Sequence, residues 1–150
     1  MPSNVAVDHP KQRLLFFVVD DIDDAKKNKL HDLINKLLLL RSWIISPPQF
    51  VSVIETDKIE DSNDFADSVG VEFEIYSAQS PVSLSKDVDL QHFNEVEYLV
   101  EALRGFSEQE KVDFEVELDD TYVGAIERGV VNPTLSIGFL GEWKKRLAFC

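Results

Sequence analysis

The sequence predicts an α+β fold: a mostly antiparallel sheet with two helices on one face, in the element order of a ferredoxin-like split βαβ unit, extended by an extra strand and a C-terminal helix. Three observations lead there. Apolar and charged residues alternate with period two over 69–76 and 112–119, the signature of half-buried strands. Apolar stripes with helical spacing run through 25–41 and 87–106. The chain has 150 residues, 44% apolar and 29% charged, which suits one soluble domain with a substantial core.

Residues 1–11, with two prolines and no periodicity, are expected to form a loose tail ahead of a single domain over 12–150. The run RLLFFVV (13–19) is a continuous apolar strand whose two faces should both be covered, one of them by the C-terminal helix that carries Trp143. An aspartate of the 20–24 cluster caps the helix over 25–41, whose stripe is Leu30, Leu33, Ile34, Leu37 and Leu38. Pro47 and Pro48 bar helix and lead into a second strand, 49–55. The acidic stretch 57–68 reads as a loop, and 69–76 as a strand with Val69, Val71, Phe73 and Ile75 inward. A loop containing Pro81 precedes the helix over 87–106. Its stripe is Leu90, Phe93, Val96, Leu99, Val100 and Leu103, and Gly105 marks its end. Strand 112–119 turns Phe114, Val116 and Leu118 inward, a turn over 119–122 follows, and 123–127 is a further strand. Asn132-Pro133 is a helix start, an Asn cap with proline at the first helical position. The final helix presents Leu135, Phe139, Leu140, Trp143 and Leu147, and Gly138 and Gly141 suit close packing.

Charge is the most informative feature for function. The formal net charge is −13, yet residues 1–54 carry +1, residues 55–120 carry −16 and residues 121–150 carry +2. An excess of this sign repels nucleic-acid phosphates and anionic membrane surfaces, so neither is expected as a partner. The single cysteine is Cys150, which permits no internal disulfide, and the first eleven residues lack the pattern of a secretory leader; both point to a cytoplasmic location. The acidic segment serves either as a solvated surface or as a docking face for a basic partner.

Catalytic chemistry finds little material. His9 lies in the tail, and His31 and His92 read as exposed helical histidines. No HExxH, GxSxG or phosphate-binding glycine loop occurs, and Cys150 hangs on the end of the chain, so neither catalysis nor a cofactor is expected. Carboxylates offer the one alternative, a metal-dependent hydrolase using Asp20, Asp21 and Asp24 after an apolar strand, against which helix capping is the structural reading. The pair Asp119-Asp120 reads as a turn in the same way. A third possibility is a non-catalytic dimerisation module. The outward residues of the two alternating strands, Glu72 and Glu74 on one and Asp113, Glu115, Glu117 and Asp119 on the other, form two acidic rows and are the expected partner-binding residues.

The stretch Tyr122-Val123-Gly124-Ala125-Ile126-Glu127-Arg128-Gly129, followed by Gly138-Phe139-Leu140-Gly141-Glu142-Trp143, resembles segments of the immunity proteins that bacteria carry against polymorphic or contact-dependent toxins. The resemblance covers about the last fifth of the chain and implies a role, not an architecture. That role is binding and neutralising one cognate toxin, often a nuclease, whose basic surface would meet the acidic rows.

Overall fold

The computed structural model describes residues 11–19, 22–40, 43–55, 66–77 and 85–148. Its elements run β1 (Lys11–Val18), α1 (Asp24–Leu40), β2 (Gln49–Glu55), β3 (Ala66–Tyr76), α2 (Lys86–Glu110), β4 (Phe114–Leu118), β5 (Thr121–Glu127) and β6 (Val130–Val131). A π-helical segment, Thr134–Phe139, then leads into α3 (Leu140–Ala148). The strands form one sheet in the order β2-β3-β1-β4-β5-β6, and every neighbouring pair is antiparallel. The fold is α+β. The crossover from β1 through α1 to β2 leaves β3 between its ends, and that from β3 through α2 to β4 leaves β1 between its ends, so β1 lies inside the sheet.

Alternation in the sequence decides which face is buried. Phe16 stands opposite Val71 on one side and Val116 on the other, and all three are fully buried. Leu14, Val69, Phe73, Ile75 and Phe114 share that face. Leu30, Ile34 and Leu37 of α1, Val96, Leu99 and Leu103 of α2, and Trp143 and Leu147 of α3 pack against it in a single core. All the described helices therefore cover the same side.

Local chemistry sets the helix ends. Asp23 is the α1 cap: its Oδ1 accepts the Lys26 N–H at 2.8 Å. Ser85 caps α2 by accepting the Val88 N–H, with Asp87 and Asp89 in the first turn beside the positive end of the dipole. Gly105 does not stop α2, contrary to expectation. Phe106 and Ser107 beyond it are buried, and the helix ends instead at Lys111, whose left-handed backbone (φ 58°) directs its N–H to the Ser107 carbonyl. Leu90 also departs from the predicted stripe: it is 43% exposed, because Asp89, His92 and Glu95 occupy the buried face of the first turns. The strand expected from 123 begins at Thr121, since Asp119 and Asp120 adopt positive φ (49° and 70°) and close a two-residue hairpin. The short β6 and the start of β1 at Lys11 were not legible from periodicity.

Asn132 acts as predicted and does more. Its Oδ1 accepts both the Leu135 N–H that starts the helical segment and the Ala125 N–H of β5. Leu135 then sits against Gly124, where a Cβ would clash with the Leu135 side chain and lie 2.7 Å from its Cα. Gly124 also holds φ +149°, so glycine is required there on two counts. The close packing expected at Gly138 is absent: that residue is exposed, and a Cβ on it meets only the Pro133 carbonyl oxygen, at 4.0 Å. Trp143 is 5% exposed and stacks edge-on against Phe93, and its indole N–H donates to Asp89 at 2.8 Å. That bond commits α3 to the side of α2, so it does not cover the outer face of β1.

Candidate functional site

The face of the sheet opposite the helices carries the candidate site. Strand parity places Arg13, Leu15 and Phe17 of β1 on it, and the ladder continues to Val19, whose N–H donates to the Asp113 carbonyl. Leu15 stands between Glu72 of β3 and Glu117 of β4. Phe17 stands between Gly70 and Glu115, and Arg13 is opposite Glu74. Farther out, Gln49 is opposite Glu72 and Tyr122 opposite Glu117. Leu15 and Phe17 are partly exposed and do not pack against the core, and Val19 is 53% exposed. At Gly70 the β1 and β3 backbones approach so closely that a Cβ would lie 2.9 Å from the Phe17 Cα. Among the described residues no helix covers this side.

An apolar row thus lies between two acidic rows, an arrangement the sequence did not reveal. The continuous run 13–19 suggests a strand covered on both faces, whereas its odd-numbered residues belong to the open one. The topology also answers the repulsion expected between acidic strands. β3 and β4 flank β1, so their carboxylate rows stand two strand spacings apart, about 9.5 Å. At that distance two charges in water repel by about 0.4 kcal/mol before salt screening, less than a pair directly opposite on adjacent strands.

The carboxylates are not equally available. Glu72 accepts from Arg13 at 3.3 Å. Asp113 holds the Arg128 N–H at 3.0 Å and its guanidinium at 3.3 Å. Asp119 belongs to the hairpin: its Oδ1 accepts the Arg13 N–H at 2.9 Å, so it fixes the turn and extends the acidic row only at its margin. Glu74, Glu115 and Glu117 have no ion-pair or hydrogen-bond partner among the described residues. Of these, Glu117 and Glu115 leave uncompensated charge beside Leu15 and Phe17, and Glu74 lies opposite Arg13 at the end of the row.

The remaining candidates resolve differently. His92 is not an exposed helical histidine. It is fully buried; its Nε2 accepts the Tyr76 N–H at 3.2 Å, which places the proton on Nδ1, donating to Glu95. Glu95, 2% exposed, also accepts the Ile44 N–H at 2.9 Å. The pair ties α2 to the end of β3 and to the segment after α1, and it is closed to substrate. Asp89 likewise joins α2 to α3, accepting from Trp143 and, through two 3.0 Å contacts, from Arg146 beside a cleft of about 270 Å³. The sequence signal for both was a buried helical face interrupted by polar residues at 89, 92 and 95. His31 is exposed and meets Phe50 at 4.8 Å. Asp20, Asp21, His9 and Cys150 lie outside the described residues. Asp24 is exposed in the first turn of α1, and among the described residues no group of three metal-ligating side chains converges. On α2, hydrogen bonds from Arg104 hold the exposed Glu101 carboxyl below its ordinary value.

No described helix is long and apolar enough to cross a membrane. In comparison with known proteins, the chain matches no family model, and no curated protein or solved structure matches it.

Proposed function

We propose that this chain is a cytoplasmic immunity-type protein that binds and neutralises a cognate toxin through the open face of its sheet. One observation carries the reading: the uncompensated Glu117 and Glu115 stand opposite the partly exposed Leu15 and Phe17, with the uncompensated Glu74 across from Arg13 at the end of the same row, on the side of the sheet the described helices leave clear. Unpaired acids around apolar surface complement lysine and arginine around an apolar patch, the surface of a nuclease-like domain that grips phosphate. Six carboxylates, Glu72, Glu74, Asp113, Glu115, Glu117 and Asp119, form the acidic part, with Arg13 and Arg128 as internal counter-charges. Inhibition is stoichiometric occlusion and needs no catalytic group or cofactor.

The test is capture of the partner from the native host, followed by charge reversal. Glu115→Lys with Glu117→Lys, and separately Glu72→Lys with Glu74→Lys, each weaken binding at least tenfold, while Lys26→Glu with Lys27→Glu on α1 does not. Raising salt slows association more than it speeds dissociation. Binding that depends on the lysine pair and ignores the glutamate pairs overturns the reading.

A further inference from the structure

We infer that the segment this face accepts is an amphipathic helix of the partner, with an apolar seam flanked on both sides by lysine or arginine. The inference rests on the reading above and specifies the shape of what binds. The partly exposed apolar row from Leu15 through Phe17 to Val19 spans four residue steps, about 14 Å of strand. Acids border it on both sides at Leu15, between Glu72 of β3 and Glu117 of β4; at Phe17 the β4 side continues with Glu115 and the β3 side is Gly70, while Glu74 extends the β3 acids past Leu15 toward Arg13. The two rows are about 9.5 Å apart, close to the 10–12 Å width of a helix with its side chains. A helix laid along β1 places residues i, i+4 and i+7 on the apolar row, spanning about 10 Å, and sends long basic side chains down both flanks. An extended segment cannot do this. Its inward side chains fall in one line, so it meets the apolar row or one acidic row but not all three.

Other occupants fit less well. A second copy docking face to face sets carboxylate rows against carboxylate rows, which costs energy. Phosphate-rich surfaces are repelled for the same reason. An internal competitor is α1 of another copy, which carries Lys26, Lys27, Lys29 and Lys36 and an 88%-exposed Leu39.

The probe is a fluorescent 18-residue peptide with leucines at helical spacing and lysines on both flanks, titrated into the full-length protein and followed by anisotropy. It binds at least tenfold more tightly than a scrambled peptide of the same composition. It also outbinds a helix with lysines on one flank and glutamates on the other. Leu15→Ser with Phe17→Ser, checked for folding by circular dichroism, weakens it at least tenfold. Glu115→Lys with Glu117→Lys weakens it too and restores binding of the mixed-flank helix, a charge swap that a structural defect cannot imitate. Equal binding of the scrambled peptide overturns the helical occupant and leaves the basic-partner reading standing. So does capture of a native partner that is sensitive to the glutamate reversals when no peptide binds. Failure of every peptide together with a partner indifferent to those reversals removes both. Concentration-dependent dimerisation in sedimentation, abolished by Lys26→Glu with Lys27→Glu, assigns the face to α1 of a second copy and overturns the inference.

Discussion

Replacing Asp89 by alanine should loosen α3 by an amount the structure allows to be worked out. Asp89 is 8% exposed and accepts two donors, the Trp143 indole N–H at 2.8 Å and the Arg146 guanidinium at 3.0 Å. Removing the carboxylate leaves the N–H of a 5%-exposed tryptophan without an acceptor, which costs about 1–3 kcal/mol. The Arg146 side chain is 42% exposed, so its head returns to water and the lost ion pair adds about 1 kcal/mol or less. The sum, about 1–4 kcal/mol, lowers the melting temperature by about 2–15 °C in a chain of this size. Urea unfolding followed by circular dichroism reads the change, and Trp143→Phe supplies the control. Phenylalanine keeps the ring beside Phe93 but has no N–H, so Asp89→Ala in that background loses only the Arg146 contribution. The cycle should therefore show a coupling of about 1–3 kcal/mol. Additive losses, within about 0.5 kcal/mol, would mean that the Asp89–Trp143 bond does not hold α3 to α2.

Three further perturbations test other joints. Gly124→Ala forces a Cβ into Leu135 at a backbone angle alanine resists; it should destabilise by about 2 kcal/mol or more, and unfolding no earlier than wild type would refute the packing of the π-helical segment on β5. Glu95→Ala strands the His92 Nδ1–H and the Ile44 N–H in the interior and should cost about 3 kcal/mol or more, seen as faster hydrogen exchange at Ile44. Arg104 depresses the Glu101 carboxyl, so that pair stabilises the fold above the usual carboxylate range and its contribution disappears as pH falls through the folded value. Glu101→Gln should lower stability at neutral pH, the difference should vanish in acid, and salt should diminish it because the pair is exposed.

The elements and the core were legible because their signals are local. Val69, Val71, Phe73 and Ile75 alternate and are all buried, and Asn132-Pro133 starts a helical segment because the capping geometry is written in two residues. Asp23 needed only its place before an amphipathic run. What stayed hidden depends on non-local neighbours. His92 looks like any polar helical residue until the Tyr76 amide and Glu95 close around it. Leu15 and Phe17 look like core in the six-residue apolar run 14–19; only the register with Glu72, Glu115 and Glu117 assigns them to the open face. The acidic rows were visible as rows, but the strand between them was not.

Topology also divides the acidic segment, and that division yields a kinetic prediction. The charge of −16 over 55–120 reads as one surface in the sequence. In the fold, Asp89 and Glu95 are interior partners, Glu97, Glu101 and Glu108 lie on the solvent side of α2, and Glu72, Glu74, Glu115 and Glu117 occupy the opposite side of the sheet. Charges on the helix layer shape the long-range field that guides a basic partner, but a sheet and a helix separate them from anything docked on Leu15 and Phe17. Distant charge acts on encounter, while charge in contact acts on encounter and residence alike. Glu97→Lys with Glu108→Lys should therefore slow association at low ionic strength and leave the dissociation rate unchanged. Glu115→Lys with Glu117→Lys should slow association and also speed dissociation at least tenfold. Surface-captured partner binding, followed at two salt concentrations, separates the two rates for each variant. If the α2 pair accelerates dissociation and the β4 pair does not, the partner rests on the helices, and the open sheet face is a solvated surface only.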